Sequence, residues 1–196
     1  LGGAIQATGT ASLSGGTYAS DGSSQVTAGG LMTLSFGGAV DNAGQLASVR
    51  GMTLRAGSFS NDNGAVLAST QGSLALSLSG SAGLVNTGII ETLGPGQSLS
   101  VTAATVSNQA AGSILSYGLQ SLTVAGTLTN EGEITAYDSP LTVQAAGVSN
   151  ENLLLAGGEL SLGVSGDLTN GGLIYGLMGA TVSAAMLNNQ GGQVGA

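Results

Sequence analysis

Residues 128–150 read LTNEGEITAYDSPLTVQAAGVSN, and the reading of this stretch decides the fold. It opens on Leu128-Thr129-Asn130 and closes on Val148-Ser149-Asn150, the same apolar–x–Asn triplet repeated after 20 residues. Between the triplets, Gly132 is followed two positions on by Ile134. A corner at Asp138-Ser139-Pro140 interrupts the chain, and Leu141-x-Val143 then resumes a strict alternation. Short runs of period-two alternation bounded by Gly, Pro, Asp and Ser predict strands, not helix.

The same grammar extends in both directions. The triplet recurs at Val40-Asp41-Asn42, Phe59-Ser60-Asn61, Leu84-Val85-Asn86 and Val106-Ser107-Asn108, and again at Leu168-Thr169-Asn170 and Leu187-Asn188-Asn189. The Asn-to-Asn spacings are 19, 25, 22, 22, 20, 20 and 19, a mean of 21. Asp21, followed by Gly22, stands 21 residues before Asn42 and is taken as a degenerate earlier member. A Gly follows most of these Asn residues (Gly44, Gly64, Gly88, Gly112, Gly132, Gly172). An apolar residue comes two positions later (Leu46, Val66, Ile90, Ile114, Ile134, Ile174), and Leu154 holds that place after Asn150. After a corner such as Gly94-Pro95-Gly96 or Tyr117-Gly118 comes the alternation Leu99-x-Val101, Leu122-x-Val124 or Leu160-x-Leu162.

Three short strands per unit of about 21 residues, each closed by a corner, describe one coil of a parallel β-helix. Alternate side chains face inward and stack on the equivalent residues of the next coil, about 4.8 Å away. The expected architecture is all-β: one β-helix segment over residues 1–196, with degenerate coils over 1–39 and regular repeats over 40–196. The repeated Asn residues (Asn42, Asn61, Asn86, Asn108, Asn130, Asn150, Asn170 and Asn189) are expected to form a ladder at one corner. There a residue with positive φ is needed, and stacked amides can bond from coil to coil. The residues added by the 25-residue spacing are expected within Ser77–Gly83.

Composition narrows the function. Of 196 residues 36 are Gly, only 12 are charged, and Cys, His and Trp are absent. Each interior Gly costs a helix about 1 kcal/mol relative to Ala, so long helices are unlikely to form. With no Cys or His there is no usual zinc site, no Cys/His nucleophile pair and no Ser-His-Asp triad. A formal net charge of −8 with two Arg and no Lys argues against nucleic acid as a partner. No run of 18 apolar residues suggests membrane insertion, and residues 1–20 do not read as a signal peptide. The sequence begins and ends in mid-pattern, as expected of an interior piece of a longer chain.

The unit from Leu128 to Asn150, recurring over about Val40 to Val194, resembles the haemagglutinin repeat. That repeat is found in filamentous haemagglutinin and related large exoproteins of Gram-negative two-partner secretion, including the stick-like toxins of contact-dependent growth inhibition. The resemblance implies a right-handed helix and export through an outer-membrane two-partner secretion transporter by way of a separate N-terminal domain. It also implies a place in a secreted fibre at the bacterial cell surface, as a monomeric rod. The function expected is a structural shaft that projects binding or effector domains. The alternative is a segment that itself binds a host-cell or bacterial receptor or a glycan, as part of an adhesin or an inhibition toxin.

The remaining motifs have plainer readings beside their functional ones. Glu131 and Glu151 each follow a ladder Asn, and on adjacent coils could meet a calcium ion. The calcium-binding nonapeptide is absent, so the expectation is a solvated acidic surface and no metal. A polysaccharide lyase would need acidic ligands facing a base. Arg50 and Arg55 do not fall simply on one outward row. A glycosidase would need two suitably spaced carboxylates, for which Glu131 with Glu133 or Glu151 are the candidates. The expectation is no enzyme and no cofactor. Tyr117, Tyr137 and Tyr175 all stand before the first corner of their coils and are expected to form a partial aromatic column, the best candidate for surface contact. Met32, Met52, Met178 and Met186 are expected to fill the core. Serine and threonine interchange too irregularly on the outer positions for an ice-binding surface.

Overall fold

A computed structural model describes residues 2–196. Those residues form strands and corners only, without a helix. The strands fall into three columns that climb the molecule together, and all recorded pairings are parallel. The first column runs from Ala4–Ala7 through Val66–Ser69 and Glu133–Ala136 to Gln193–Gly195. The second begins at Ala11–Gly15 and includes Leu74–Leu78 and Leu160–Val164. The third begins at Tyr18–Ala19 and includes Leu84–Asn86 and Asp167–Asn170. Among the described residues this makes nine complete coils and the first strand of a tenth. The expected parallel β-solenoid of about 21 residues per coil is the observed fold. At about 4.8 Å per coil it is a rod roughly 40 Å long.

Alternation explains the core. In Leu141–Asn150 the inward residues Leu141, Val143 and Val148 are buried, while Thr142 and Gln144 between them are not. Register repeats this choice coil after coil: Leu54, Leu76, Val101, Leu122, Val143 and Leu162 pair in succession. Each fully buried aliphatic side chain is worth about 1.5–3 kcal/mol relative to exposure. Stacking like on like therefore extends one apolar column through the whole rod. Two coils merge their second and third strands into Gln120–Asn130 and Leu141–Asn150, with a register irregularity between Val124 and Thr127.

Several sequence expectations shift. The residues added between Asn61 and Asn86 do not lie in a single bulge. Relative to the preceding coil they are divided among the corners at 62–65, 70–73 and 79–83. Gly83 adopts a φ of 60°, in the left-handed region that glycine enters without Cβ strain, and Gly96 does the same at 75° in the widened corner of the next coil. The two-residue longer corner after Asn61 also moves the inward position, so that Leu67, not Val66, aligns with Leu46 and Ile90. Met32 and Met52 are buried, but Met178 is 74% and Met186 is 59% exposed. Met178 falls in a corner and Met186 pairs with the outward Asp167, so neither reaches the core.

Candidate functional site

The Asn ladder is continuous. Each side-chain Nδ2 donates to the Oδ1 of the next coil's Asn: Asn42 to Asn61 and Asn61 to Asn86 at 2.9 Å, and Asn86 to Asn108 and Asn108 to Asn130 at 2.8 Å. Asn130 to Asn150 and Asn170 to Asn189 follow at 2.7 Å, and Asn150 to Asn170 at 2.8 Å. From Asn42 to Asn170 the rungs are completely buried, whereas Asn189 is exposed. The same nitrogens reach backbone carbonyls, as from Asn86 to Gly88 O in the turn at 3.1 Å and from Asn130 to Leu153 O of the next coil's strand at 2.9 Å. The ladder thus satisfies polar groups that the corner would otherwise leave buried and unpaired.

The conformational part of the expectation is corrected. No described non-glycine residue has positive φ, so the Asn residues do not make the turn themselves. They end a strand in extended backbone, point inward and tie down the turn that follows. Asp21 is not the first rung either. The pairing of Tyr18 with Val40 and Ala19 with Asp41 puts Ser20 opposite Asn42, and Ser20 Oγ donates to Asn42 Oδ1 at 3.2 Å. Asp21 instead accepts from Ser23 Oγ at 2.7 Å and Ser23 N at 3.0 Å, which holds its carboxyl below the usual range.

A second polar row was not foreseen. Ser48, Ser69, Thr92 and Ser116 end successive first-column strands and are all buried. Thr92 Oγ1 and Ser116 Oγ are 2.8 Å apart, and Ser116 Oγ also donates to Gly118 O at 3.0 Å. The signal was present as an apolar–x–Ser/Thr triplet before four consecutive corners. Among the described residues, the Ser48 and Ser69 hydroxyl oxygens find no hydrogen-bond partner.

Of the three tyrosines, two meet. Tyr117 and Tyr137 stack with ring centroids 4.8 Å apart and planes inclined by 27°. Tyr175 does not join them: it pairs with Leu155 inside the strand, because Gly176 holds the strand end that Ala156 and Ala136 hold below. The column through the stack is continued by Leu93, Gly157 and Leu177, as the backbone bonds Tyr117 N to Thr92 O, Gly157 N to Ala136 O and Leu177 N to Ala156 O establish. A Cβ on Gly157 would collide with the Tyr137 carbonyl oxygen, so only glycine fits there. Burial raises the Tyr137 hydroxyl above its ordinary pKa, with Glu133, Tyr117 and Glu91 adding to the effect.

The charged candidates disperse. Glu131 N bonds to Asn108 O and Glu151 N to Asn130 O, which places the two residues on adjacent coils, both exposed. Glu133 lies on a first-column strand instead. Among the described residues no group of three or more acidic or other metal-ligating side chains is close enough to hold a metal ion. Arg50 lines a shallow groove of about 450 Å³ with Gln71, Ser73 and Gln97, whereas Arg55 stands on the second column opposite Ser35 and Ser77. That second column turns hydroxyls outward, with Thr33, Thr53, Ser100, Ser121, Thr142 and Ser161 along one row broken by Ala75.

Comparison with protein-family models, with curated proteins and with solved structures found no match.

Proposed function

We propose that this chain is a shaft segment of a large secreted filamentous adhesin at a Gram-negative cell surface, exported by two-partner secretion. In this reading it is a spacer and not an enzyme. The observation that carries it is the unbroken Asn ladder from Asn42 to Asn189 beside three columns of parallel strands. Such a rod gains length in fixed steps, about 4.8 Å per coil, without any change in cross-section. Its stability is a sum of coil and coil–coil terms, which suits a part whose task is reach. The recurrence of the haemagglutinin-type unit supports the parent class, and the lack of Cys suits a chain exported unfolded through an oxidising space.

The test places the chain between a surface anchor and a binding domain of known target, with coils added or removed. The expected result is a reach that grows with coil number and ignores substitutions on the outer faces. Reach independent of coil number would overturn the spacer reading. The alternative, a segment that makes contact itself, is favoured by one observation, the exposed Tyr117–Tyr137 stack.

A further inference from the structure

The first column presents two unlike outer surfaces along its length. On the early coils its outward residues are Gln25, Thr27, Gln45 and Ala47. On the later coils the same positions hold Leu115, Leu153, Leu155, Leu173 and Tyr175, all half-buried, with Ser113, Glu133 and Thr135 among them. The corner beside them adds Leu93, Tyr117, Tyr137 and Leu177, which are 42%, 40%, 38% and 60% exposed. The solenoid does not require this, since the second column of the same coils faces outward with Ser and Thr. A partly exposed, mainly apolar surface confined to one side of a rod marks a contact site.

The charge on this surface selects the occupant. Glu91 and Glu133 stand on the same outward face, and the carboxyl of Glu91 is raised by burial among its apolar neighbours. No Lys or Arg occurs anywhere after Arg55. A second copy docking face to face here would set Glu91 and Glu133 against the same carboxylates, because its two Arg residues stand on the earlier coils. A neutral sugar would gain nothing from the two carboxylates beside the stack, whereas a cation would. Beyond Tyr137 the column continues with Gly157, which adds no side chain there, and Tyr137 itself is exposed. A cation over a tyrosine face beside a carboxylate is a favourable pairing.

We propose that the outer face of the first column from Ile89 to Leu177, centred on the Tyr117–Tyr137 stack, docks a polypeptide segment bearing both apolar side chains and Lys or Arg. Apolar side chains would cover the leucines, and the cations would meet Glu91, Glu133 and the exposed Tyr137 ring. This inference stands independently of the spacer reading, because a shaft can carry a docking face.

The test is a fluorescence anisotropy titration of the 196-residue chain with a labelled peptide of alternating leucine and lysine, beside a labelled neutral glucan oligosaccharide. The expected result is saturable one-to-one binding of the peptide. Tyr117→Ser/Tyr137→Ser weakens it by about tenfold or more. Glu91→Gln/Glu133→Gln also weakens it and flattens its salt dependence. Asp41→Asn/Asp62→Asn removes the same charge elsewhere and changes binding by less than about twofold. Leu177→Ser gives a second reading of the surface should the tyrosine double variant fail to fold. Equal loss in the Asp41/Asp62 variant would reduce the effect to general attraction and overturn the proposal. So would peptide binding indifferent to both Tyr117/Tyr137 and Leu177, tyrosine-dependent binding of the glucan alone, or a dimer that competes with the peptide.

Discussion

Asn130 Nδ2 donates to Asn150 Oδ1 at 2.7 Å across 20 residues of chain, with both side chains completely buried. This bond closes one coil onto the next, and its equivalents close the others. Asn130 is also the acceptor for Asn108 Nδ2 at 2.8 Å. Asn130→Ala therefore breaks two rungs at once and removes the donor to Leu153 O. The expected loss is about 3 kcal/mol, since each orphaned buried group costs about 1–3 kcal/mol. Asn189→Ala, at the exposed last rung, is expected to cost about 0.5 kcal/mol. Equilibrium denaturation of the two variants measures the contrast, and equal losses would mean that the ladder does not act through burial.

Gln120 occupies a core position between Leu99 and Leu141 in the second column. Its Nε2 donates to Ile114 O at 3.2 Å, but its buried Oε1 has no partner. Gln120→Leu continues the leucine stack and removes an unpaired acceptor. The variant is expected to be more stable by about 1 kcal/mol. A less stable variant would show that the single bond to Ile114 outweighs the unpaired oxygen.

Gly157 and Gly37 separate two uses of glycine. A Cβ at Gly157 meets the Tyr137 carbonyl, whereas one at Gly37 meets nothing within 4 Å. Gly157→Ala is expected to cost about 2 kcal/mol or more through forced backbone movement. Gly37→Ala is expected to stay within about 0.5 kcal/mol of the parent. Thermal denaturation followed by circular dichroism distinguishes them.

Stability should respond to pH through Glu91. Burial raises its folded-state pKa, so the folded chain holds this proton more tightly than the unfolded chain. The resulting contribution is fully present below the ordinary glutamate value and is lost as pH rises through the raised one. Glu91→Gln is expected to remove this decline and leave the opposite trend from Asp21, whose depressed pKa contributes stability that is lost in acid. Denaturation midpoints of parent and variant across the mildly acidic range provide the check; parallel curves would dismiss the assignment.

Deleting residues 131–150 removes one coil and joins Asn130 to Glu151, which brings Asn130 opposite Asn170. The shortened chain is expected to keep its β-sheet signal and to shorten by about 4.8 Å in solution scattering. Deleting 131–140 alone leaves half a coil and is expected to abolish cooperative folding. Survival of the half-coil deletion would refute stacking by whole coils.

Much of this was legible in the residues. The triplet ending in Asn130 and Asn150 identified the rungs, and Leu141-x-Val143 identified inward positions, because a parallel solenoid puts the same residue types in register once per coil. Three departures have one origin. Leu67 faces inward and Val66 does not, Tyr175 leaves the Tyr117 column, and Ser20 stands in the rung position that Asp21 suggests. In each case one or two residues at a corner decide which way a side chain points, and strand alternation turns a shift of one residue into a change of face. Met178 and Met186 were misplaced by composition alone, since an apolar side chain in a corner or opposite Asp167 has no core to enter.

The sequence by itself determined the coil: its length, its three strands, its apolar interior and its Asn ladder. Those features repeat, and stacked repeats reinforce one another wherever the pattern recurs. Only the tertiary structure decided the outer surfaces and the making of the turns. Tyr117 and Tyr137 stack as their spacing suggests, but Tyr175 falls inside its strand and Leu177 takes its place in the column. Neighbours on such a surface come from successive coils, and their alignment depends on corner lengths that vary from coil to coil.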